Sequence, residues 1–185
     1  YRYPPVPSLK EDGSKAAGRT QTGGCPEAAC RLSFCAPEGG TAHMVIESNS
    51  PEETFRVGKE LGERAYAGQV FTLTGDLGVG KTVFTQGLAK GLGIDEPVNS
   101  PTFTIVQEYD GGRLPFYHFD VYRIGDIEEM EEVGFDDYVM GEGVSLIEWA
   151  DLIREILPDK RTEILIEKNL ERGFDYRRIT VTQIE

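Results

Sequence analysis

The sequence has 185 residues, of which 39% are hydrophobic and 28% are charged, and its formal net charge is −13. This composition is typical of a globular domain of ordinary size, and the acidic balance argues against a nucleic-acid binder held by phosphate contacts, which needs a basic surface. No apolar run approaches the roughly 18 residues that a membrane span requires, so we expect no membrane association.

The first 43 residues differ from the rest of the chain. They are rich in proline and glycine and show no sustained hydrophobic periodicity, and all three cysteines lie here, at Cys25, Cys30 and Cys35. A zinc site that adds His43 is an alternative, but the spacing does not match the common paired motifs. We expect residues 1–43 to be a disordered or non-native leader and Met44 to be the functional start. Residues 44–185 contain no cysteine, which fits a reducing, cytoplasmic location.

The first half of the domain shows a strand–helix–strand–helix pattern. Residues 45–46 indicate a short strand, and a helix then begins with Ser50 as its N-cap and ends at Gly68. Residues 69–75 are predicted to form a strand. A glycine-rich loop follows, and apolar residues at helical spacing then predict a second helix that ends at Gly93.

The second half of the domain contains mainly strands. The sequence first predicts a β-hairpin of 102–109 and 114–123, followed by one or two short acidic helices in 126–140. It then predicts a buried strand at 144–149, a short helix at 150–157 and two closing strands at 162–169 and 176–183. Strands and helices alternate early, and hairpins lie toward the ends. This order predicts an α/β sandwich whose mixed sheet has a parallel core and antiparallel edge strands.

The glycine-rich loop matches the phosphate-binding pattern G-x-x-x-x-G-K-[ST]. Its eight residues are Gly75, Asp76, Leu77, Gly78, Val79, Gly80, Lys81 and Thr82. Little side-chain bulk lets backbone N–H groups come within hydrogen-bond reach of a polyphosphate. Lys81 adds a full charge toward the β- and γ-phosphates, and the Thr82 hydroxyl is predicted to ligate Mg²⁺. A plain glycine turn is the alternative, but the flanking strand and helix favour a P-loop NTPase-like domain over 44–185.

Two carboxylates end apolar strands and are candidates for the acidic group that phosphoryl transfer needs near Mg²⁺. Asp120 follows FYHF, and Glu148 follows VSLI. The carboxyl ends of parallel strands face the phosphates in such a fold, so either acid is a candidate for that role, and a surface acid is the alternative for each. His118 is expected to be an ordinary strand residue, although strand alternation places it on the same side as Asp120.

The segment SPTF, residues 100–103, lies between the second helix and the next strand. GTPases carry a switch loop at this position, with a threonine that senses the γ-phosphate, and Thr102 is the corresponding threonine here. A simple turn is the alternative. The guanine-reading sequence N-K-x-D does not occur in the chain, so ATP is preferred over GTP.

Five blocks occur in a fixed order at short spacing: GDLGVGKT, SPTF, YHFDVYR, EEMEEVGFDDY and SLIEWAD. Together they resemble the TsaE family, also known as YjeE, over about residues 44–184. The resemblance implies a small bacterial ATPase that binds ATP with Mg²⁺ and docks on the TsaB–TsaD transferase pair. That pair carries out threonylcarbamoyl modification of the tRNA adenosine beside the anticodon. ATP hydrolysis, weak alone and stimulated in the complex, is implied to reset the transferase between turnovers.

The resemblance also implies roles for individual residues. Lys81 and Thr82 would hold phosphate and Mg²⁺, and Thr102 would belong to the switch-like loop. Asp120 would belong to the magnesium site, and Glu148 would take the catalytic or coupling position. We therefore expect Glu148, Lys81 and Thr102 to be catalytic and Thr82 and Asp120 to hold the metal.

Two further features concern partners. The resemblance places Trp149 together with Glu148 at the catalytic or coupling position. Strand alternation would point the Trp149 side chain away from Glu148, so we favour a packing or partner contact over stacking on the base. The stretch 126–142 contains eight Asp and Glu residues. A solvated helix face is the simple interpretation, and a surface for a basic patch of a partner is the functional one. We expect no direct, stable binding of tRNA.

Two other classes of function stay open. A small-molecule phosphotransferase, such as a nucleoside kinase, would need an acceptor pocket and usually an arginine-bearing lid. Between the glycine-rich loop and Arg154, the only arginines are Arg113 and Arg123. A non-hydrolysing nucleotide switch would bind ATP only to set its affinity for a partner.

Overall fold

The computed structural model describes residues 43–185. The predicted leader and its cysteines lie outside these residues, so the leader and the start at Met44 stay predictions. The described elements are β1 (His43–Ser48), α1 (Pro51–Arg64), β2 (Val70–Thr74), α2 (Lys81–Gly91), β3 (Val106–Tyr109), β4 (Phe116–Asp120), α3 (Glu128–Glu132), α4 (Phe135–Val139), β5 (Val144–Glu148), a 3₁₀ helix (Ala150–Ile156), β6 (Arg161–Lys168) and β7 (Arg177–Ile184). Within this part of the chain, no helix has the length and apolar character that crossing a membrane requires.

A seven-stranded sheet with the order β1-β7-β6-β2-β5-β4-β3 organises these elements. β2 pairs in parallel with β5 and β6, and β4 pairs in parallel with β5. The remaining pairs are antiparallel and lie toward the two edges. The predicted mixed sheet is therefore confirmed. The four parallel strands end side by side at Thr74, Asp120, Glu148 and Lys168, and this end of the sheet is called the carboxyl edge below.

Helices cover both faces of the sheet. α1 and α2 pack on one face, and α3, α4 and the 3₁₀ helix pack on the other. The two faces meet in β5, where Leu146 belongs to the first core and Ile147 to the second, and both side chains are fully buried. Burial on both faces explains why this strand reads as a continuous apolar run in the sequence.

The helix starts follow the sequence more closely than the helix ends. Ser50 caps α1 and accepts a hydrogen bond from the Glu53 N–H at 3.3 Å, as predicted. The predicted end at Gly68 is wrong, because Ala65 already turns to an extended backbone (φ −60°, ψ 145°) and α1 ends at Arg64. Gly68, at φ 77°, belongs instead to the turn into β2. The prediction that Gly93 ends α2 is confirmed: it follows the C-cap Leu92 with φ 87°, its N–H donates to the Lys90 carbonyl, and the Ile94 N–H donates to the Ala89 carbonyl.

The predicted strand over 102–109 is too long, since β3 begins only at Val106. The preceding residues form a turn in which the Ile105 N–H donates to the Pro101 carbonyl at 2.8 Å. The helix predicted at 150–157 is a 3₁₀ helix with non-helical backbone at Ile153. Local hydrogen bonds thus override strand and helix propensity near the carboxyl edge.

Helices α1 and α2 approach each other backbone to backbone through pairs of glycines. A Cβ on Gly58 would lie 2.2 Å from the Phe84 carbonyl oxygen, and one on Gly62 would lie 2.1 Å from that of Leu88. Gly87 on α2 faces α1 in the same way. This contact sets how closely α2, and with it the glycine-rich loop, sits on the rest of the domain.

The close contact predicts that Gly62→Ala destabilises the domain. A helix-interior alanine alone would add about 0.5–1 kcal/mol of stability, but forcing a methyl group against backbone typically costs about 1–3 kcal/mol or more, so the net change is a loss. Urea unfolding measures it, with exposed Arg56→Ala on the same helix as the control. A Gly62→Ala protein as stable as the parent would contradict the backbone contact.

Candidate functional site

The glycine-rich loop (Gly75–Thr82) joins β2 to α2 at the carboxyl edge. Gly75, Gly78 and Gly80 have φ angles of 145°, 71° and 104°, which favour glycine. A Cβ on Gly75 would come within 2.5 Å of the Ile166 carbonyl oxygen, whereas one on Gly78 or Gly80 would meet no described atom within 4 Å. The loop therefore packs against β6 at Gly75 and leaves open space at Gly78 and Gly80, as a phosphate cradle requires.

Lys81 is the cation of this loop and is only 7% exposed. Its Nζ donates to the carbonyl oxygens of Gly75 at 2.8 Å and Asp76 at 3.1 Å. The same ammonium lies 3.8 Å from the centroid of a Trp149 ring. Burial lowers the pKa of Lys81, and the negative charge of Glu148 and other nearby carboxylates opposes that shift. The loop thus holds a largely desolvated positive charge at its mouth.

Two basic residues of the C-terminal strands anchor the loop, and neither was predicted from the sequence. Lys168 Nζ donates to Asp76 Oδ2 at 2.7 Å, and this hydrogen bond lowers the pKa of Asp76. Arg177 Nε donates to the Val79 carbonyl at 2.6 Å. Lys168 ends a parallel strand but follows Glu167 rather than an apolar run, so the strand-end rule that selected the two acids did not select it.

Asp120 is buried at the end of β4. Its Oδ2 accepts hydrogen bonds from the hydroxyls of Ser100 and Thr102, the latter at 2.7 Å. Its Oδ1 accepts from the Tyr122 N–H at 3.1 Å. The structure thus brings the predicted switch-like loop and the predicted metal carboxylate into direct contact, although 18 residues separate Thr102 from Asp120.

Glu148 is buried at the end of β5, directly opposite Asp120 in the parallel register. Its Oε1 lies 2.9 Å from His118 Nε2 and 3.3 Å from Thr85 Oγ1. His118 was expected to be an ordinary strand residue, yet its imidazole is a direct neighbour of the candidate catalytic acid. Alternation along β4 correctly predicted the face on which His118 lies. The sequence did not reveal the register of β4 against β5, which brings its ring to Glu148.

Trp149 departs from the expected alternation. β5 ends at Glu148, and Trp149 adopts a left-handed backbone with φ 62°. The expectation that it points away from the site is therefore wrong, because its ring lies beneath Lys81 and 4.9 Å from the ring of Tyr122. Ile105, at φ 65°, is the second non-glycine residue with positive φ in the described chain. Such conformations cost about 1–3 kcal/mol each and are concentrated at functional sites.

The available donors fit Mg²⁺ better than a metal that needs a full protein cage. Among residues 43–185, no group of three or more His, Cys, Asp or Glu side chains is arranged to hold an ion. The Thr82 hydroxyl and the Asp120 carboxylate supply hard oxygen ligands, and Mg²⁺ commonly takes only one or two such ligands, with substrate phosphates and waters completing its shell. The metal roles of Thr82 and Asp120 stay predictions.

Comparison with known proteins gives a consistent result. The model of the family "Threonylcarbamoyl adenosine biosynthesis protein TsaE" matches residues 48–179. The chain is 53% identical over 135 residues to the tRNA threonylcarbamoyladenosine biosynthesis protein TsaE of Bacillus subtilis, covering 73% of this chain and 82% of that protein. The protein of the same name from Treponema pallidum is 44% identical over 116 residues, or 63% of this chain and 85% of that protein. A crystal structure of Bacillus subtilis YdiB superposes with a TM-score of 0.69 at 43% identity, covering 80% of this chain and 90% of that one.

Proposed function

The chain belongs to the TsaE family of tRNA threonylcarbamoyladenosine biosynthesis proteins, and on this premise we propose that it is the ATP-binding and ATP-hydrolysing subunit of that machinery, acting on a TsaB–TsaD-type transferase pair. The observation that carries the proposal is the convergence of three features at the carboxyl edge. The glycine-rich loop follows β2, and Asp120 and Glu148 end the neighbouring strands β4 and β5. We place this activity in the cytoplasm.

Binding of the triphosphate rests on the loop and on Lys81. The Lys81 ammonium now donates to two neutral backbone carbonyls, those of Gly75 and Asp76. Charge-assisted hydrogen bonds to phosphate oxygens are roughly twice as strong as neutral ones, so the side chain exchanges these carbonyls for phosphate when the nucleotide binds. The N–H groups at the start of α2 add partial positive charge around the same phosphates.

Thr82 and Asp120 would hold Mg²⁺, which supplies positive charge against the phosphates when bound. Both Asp120 oxygens already accept hydrogen bonds, Oδ2 from Ser100 and Thr102 and Oδ1 from Tyr122. The carboxylate can therefore act on the metal through water. Thr102 would then sense the metal and the γ-phosphate through the carboxylate it already contacts.

This arrangement predicts that Asp120→Asn weakens the Mg²⁺ dependence of ATP binding and also slows hydrolysis. The amide keeps one acceptor oxygen for the Tyr122 N–H but loses the charge that organises the metal's waters. Calorimetric ATP titrations at several Mg²⁺ concentrations measure the effect, and Asp110→Asn, at the exposed hairpin turn, is the matched control. An Asp120→Asn protein with parental Mg²⁺ dependence would remove Asp120 from the metal site.

Hydrolysis rests on Glu148. Both hydrogen-bonding neighbours of its carboxylate among the described residues contact Oε1. No hydrogen bond within this part of the chain engages its Oε2. A carboxylate with one fixed and one unengaged oxygen can orient and deprotonate an attacking water.

Two features support a partner near the site. Leu77 and Phe103 are 73% and 84% exposed, and they belong to the glycine-rich loop and to the switch-like loop. Exposed apolar side chains on site loops are typical of surfaces that another protein covers. The acidic residues of 126–142 are also exposed, which suits a basic patch on the transferase pair.

Phosphate release from ATP by the purified chain tests the proposal against its alternatives. We expect slow hydrolysis that needs Mg²⁺ and no added small molecule. ADP formation that appears only with a nucleoside or another small acceptor would favour the phosphotransferase. Tight ATP binding with no turnover, even when TsaB and TsaD are present, would favour the nucleotide switch.

A further inference from the structure

We propose that His118 is a positioning residue, whose imidazole donates from Nε2 to Glu148 Oε1 and so fixes the orientation of the catalytic carboxylate. The inference rests on the proposed role of Glu148 in hydrolysis. It assigns a task to a buried polar residue that phosphate and metal binding do not use.

The tautomer of His118 follows from its surroundings. The ring is fully buried, Nε2 lies 2.9 Å from Glu148 Oε1, and Nδ1 has no partner among the described residues. A proton on Nδ1 would leave a buried N–H unpaired, which is costly, and in the neutral ring it would also set an Nε2 lone pair against the carboxylate. The Nε2–H tautomer leaves only an unpaired acceptor on Nδ1. The structure therefore assigns the single ring proton to Nε2.

His118 is the principal donor to Glu148 among the described residues. The other donor, the Thr85 hydroxyl, has one proton, and the Lys81 carbonyl at 3.0 Å lies closer to it than Glu148 Oε1 at 3.3 Å. His118 Nε2–H has no competing acceptor of this kind, because its short contact is with Oε1 alone. Removing the imidazole therefore frees the carboxylate to rotate away from its working orientation.

Packing alone does not explain a histidine at this position. Its ring stacks on Phe116 with centroids 6.1 Å apart, and its register partners are Leu146 on β5 and the exposed Gln107 on β3. Phe116 and Leu146 both belong to the apolar core. An apolar residue would fill this core without leaving a buried nitrogen unpaired. The polar ring is accounted for by its contact with Glu148, which ends the neighbouring strand.

A matched pair of substitutions tests the proposal, because Gln and Asn differ in where they place their amide. The Gln amide nitrogen reaches the position of histidine Nε2, whereas the Asn amide reaches only that of Nδ1. With TsaB and TsaD present, we expect His118→Gln to keep kcat within about fivefold of the parent and His118→Asn to lose about 10- to 100-fold, with KM for ATP changed less than about threefold in both. Phe116→Leu, which disturbs the same core without contacting Glu148, should keep kcat.

Equal kcat values for the Gln and Asn variants, or a loss that appears only in KM, would overturn the proposal. In a Glu148→Gln background, His118→Asn should cause little further loss, because the two residues act through the same contact. If the parent hydrolyses ATP and depends on Glu148 but not on His118, only this inference fails. If the parent shows no hydrolysis at all, the proposed function fails first.

A spectroscopic measurement on the unmodified protein tests the assigned His118 tautomer even if the variants do not fold. The chain has two histidines, and the other, His43, is exposed in β1. Nitrogen-15 NMR of the imidazoles should show His118 with a protonated Nε2 and an unprotonated Nδ1. The opposite tautomer, with its proton on Nδ1 and none on Nε2, would contradict the assigned contact.

Discussion

Replacing Lys81 with alanine is expected to weaken ATP binding by about 10- to 100-fold, since charge-assisted contacts of this kind contribute about 1.5–3 kcal/mol. The reason lies in the charge balance of the site. The chain carries a net charge of −13, and Lys81 is the buried ammonium that the glycine-rich loop holds at its mouth. Without it, the anionic triphosphate meets the carboxylates Asp120 and Glu148 with one fewer opposing charge. Calorimetric titration of ATP in the presence of Mg²⁺ measures the change.

Lys90→Ala is the matched control for this variant. It removes the same charge from the same helix, but at its exposed C-terminal turn, where Lys90 pairs with Asp95. Overall charge and helix propensity therefore change alike in the two proteins, and only Lys81→Ala should lose affinity. Equal ATP affinity in the parent and in Lys81→Ala would mean that the loop is not a phosphate cradle.

Glu148→Gln should lower hydrolysis in the presence of TsaB and TsaD by about 10²- to 10⁴-fold, the range for the loss of a positioned general base. ATP binding should stay nearly intact, because the amide preserves the size of the side chain and the phosphates contact the loop instead. The amide oxygen can still accept the hydrogen bond from His118 Nε2. The expected fall in the hydrolysis rate therefore comes from removing the basicity and the negative charge of the carboxylate. Single-turnover phosphate release, together with calorimetry, separates the chemical step from binding.

Glu155→Gln provides the same change at an exposed position of the 3₁₀ helix, outside the acidic stretch 126–142, and should leave turnover unchanged. Two results would contradict the assignment of roles. If Glu148→Gln lost ATP binding while Asp120→Asn kept it, the two carboxylates would have exchanged their tasks. If both carboxamide variants kept full turnover, neither acid would be catalytic.

The sequence was sufficient to predict the parts of the fold that depend on local pattern. Alternating strands and helices predicted the mixed sheet, which the structure confirms. The phosphate-loop motif lies between β2 and α2, as its strand and helix context required. Asp120 and Glu148 could be selected as candidates because each directly follows an apolar run, and parallel strands bring such residues to one edge.

Other parts depend on pairings between distant segments, which a single sequence does not display. The contact of His118 with Glu148 needs the register of β4 against β5, and Lys168 meets Asp76 across 92 residues of chain. Trp149 was misplaced because a left-handed residue ended the strand where alternation assumed continuation. The strand predicted over 102–109 overlaps the end of the switch-like loop. In the structure, the turn that ends at Ile105 replaces the first residues of that strand.

The central claim is that ATP hydrolysis at the carboxyl edge serves the transferase pair. The most direct test compares the steady-state ATPase rate of the chain alone with its rate after addition of TsaB and TsaD. We predict a slow rate alone and a clear rise with the pair, and we predict that Lys81→Ala abolishes the added activity while Lys90→Ala retains it. An unchanged slow rate with the pair, or a rise of equal size with Lys81→Ala, would contradict the claim.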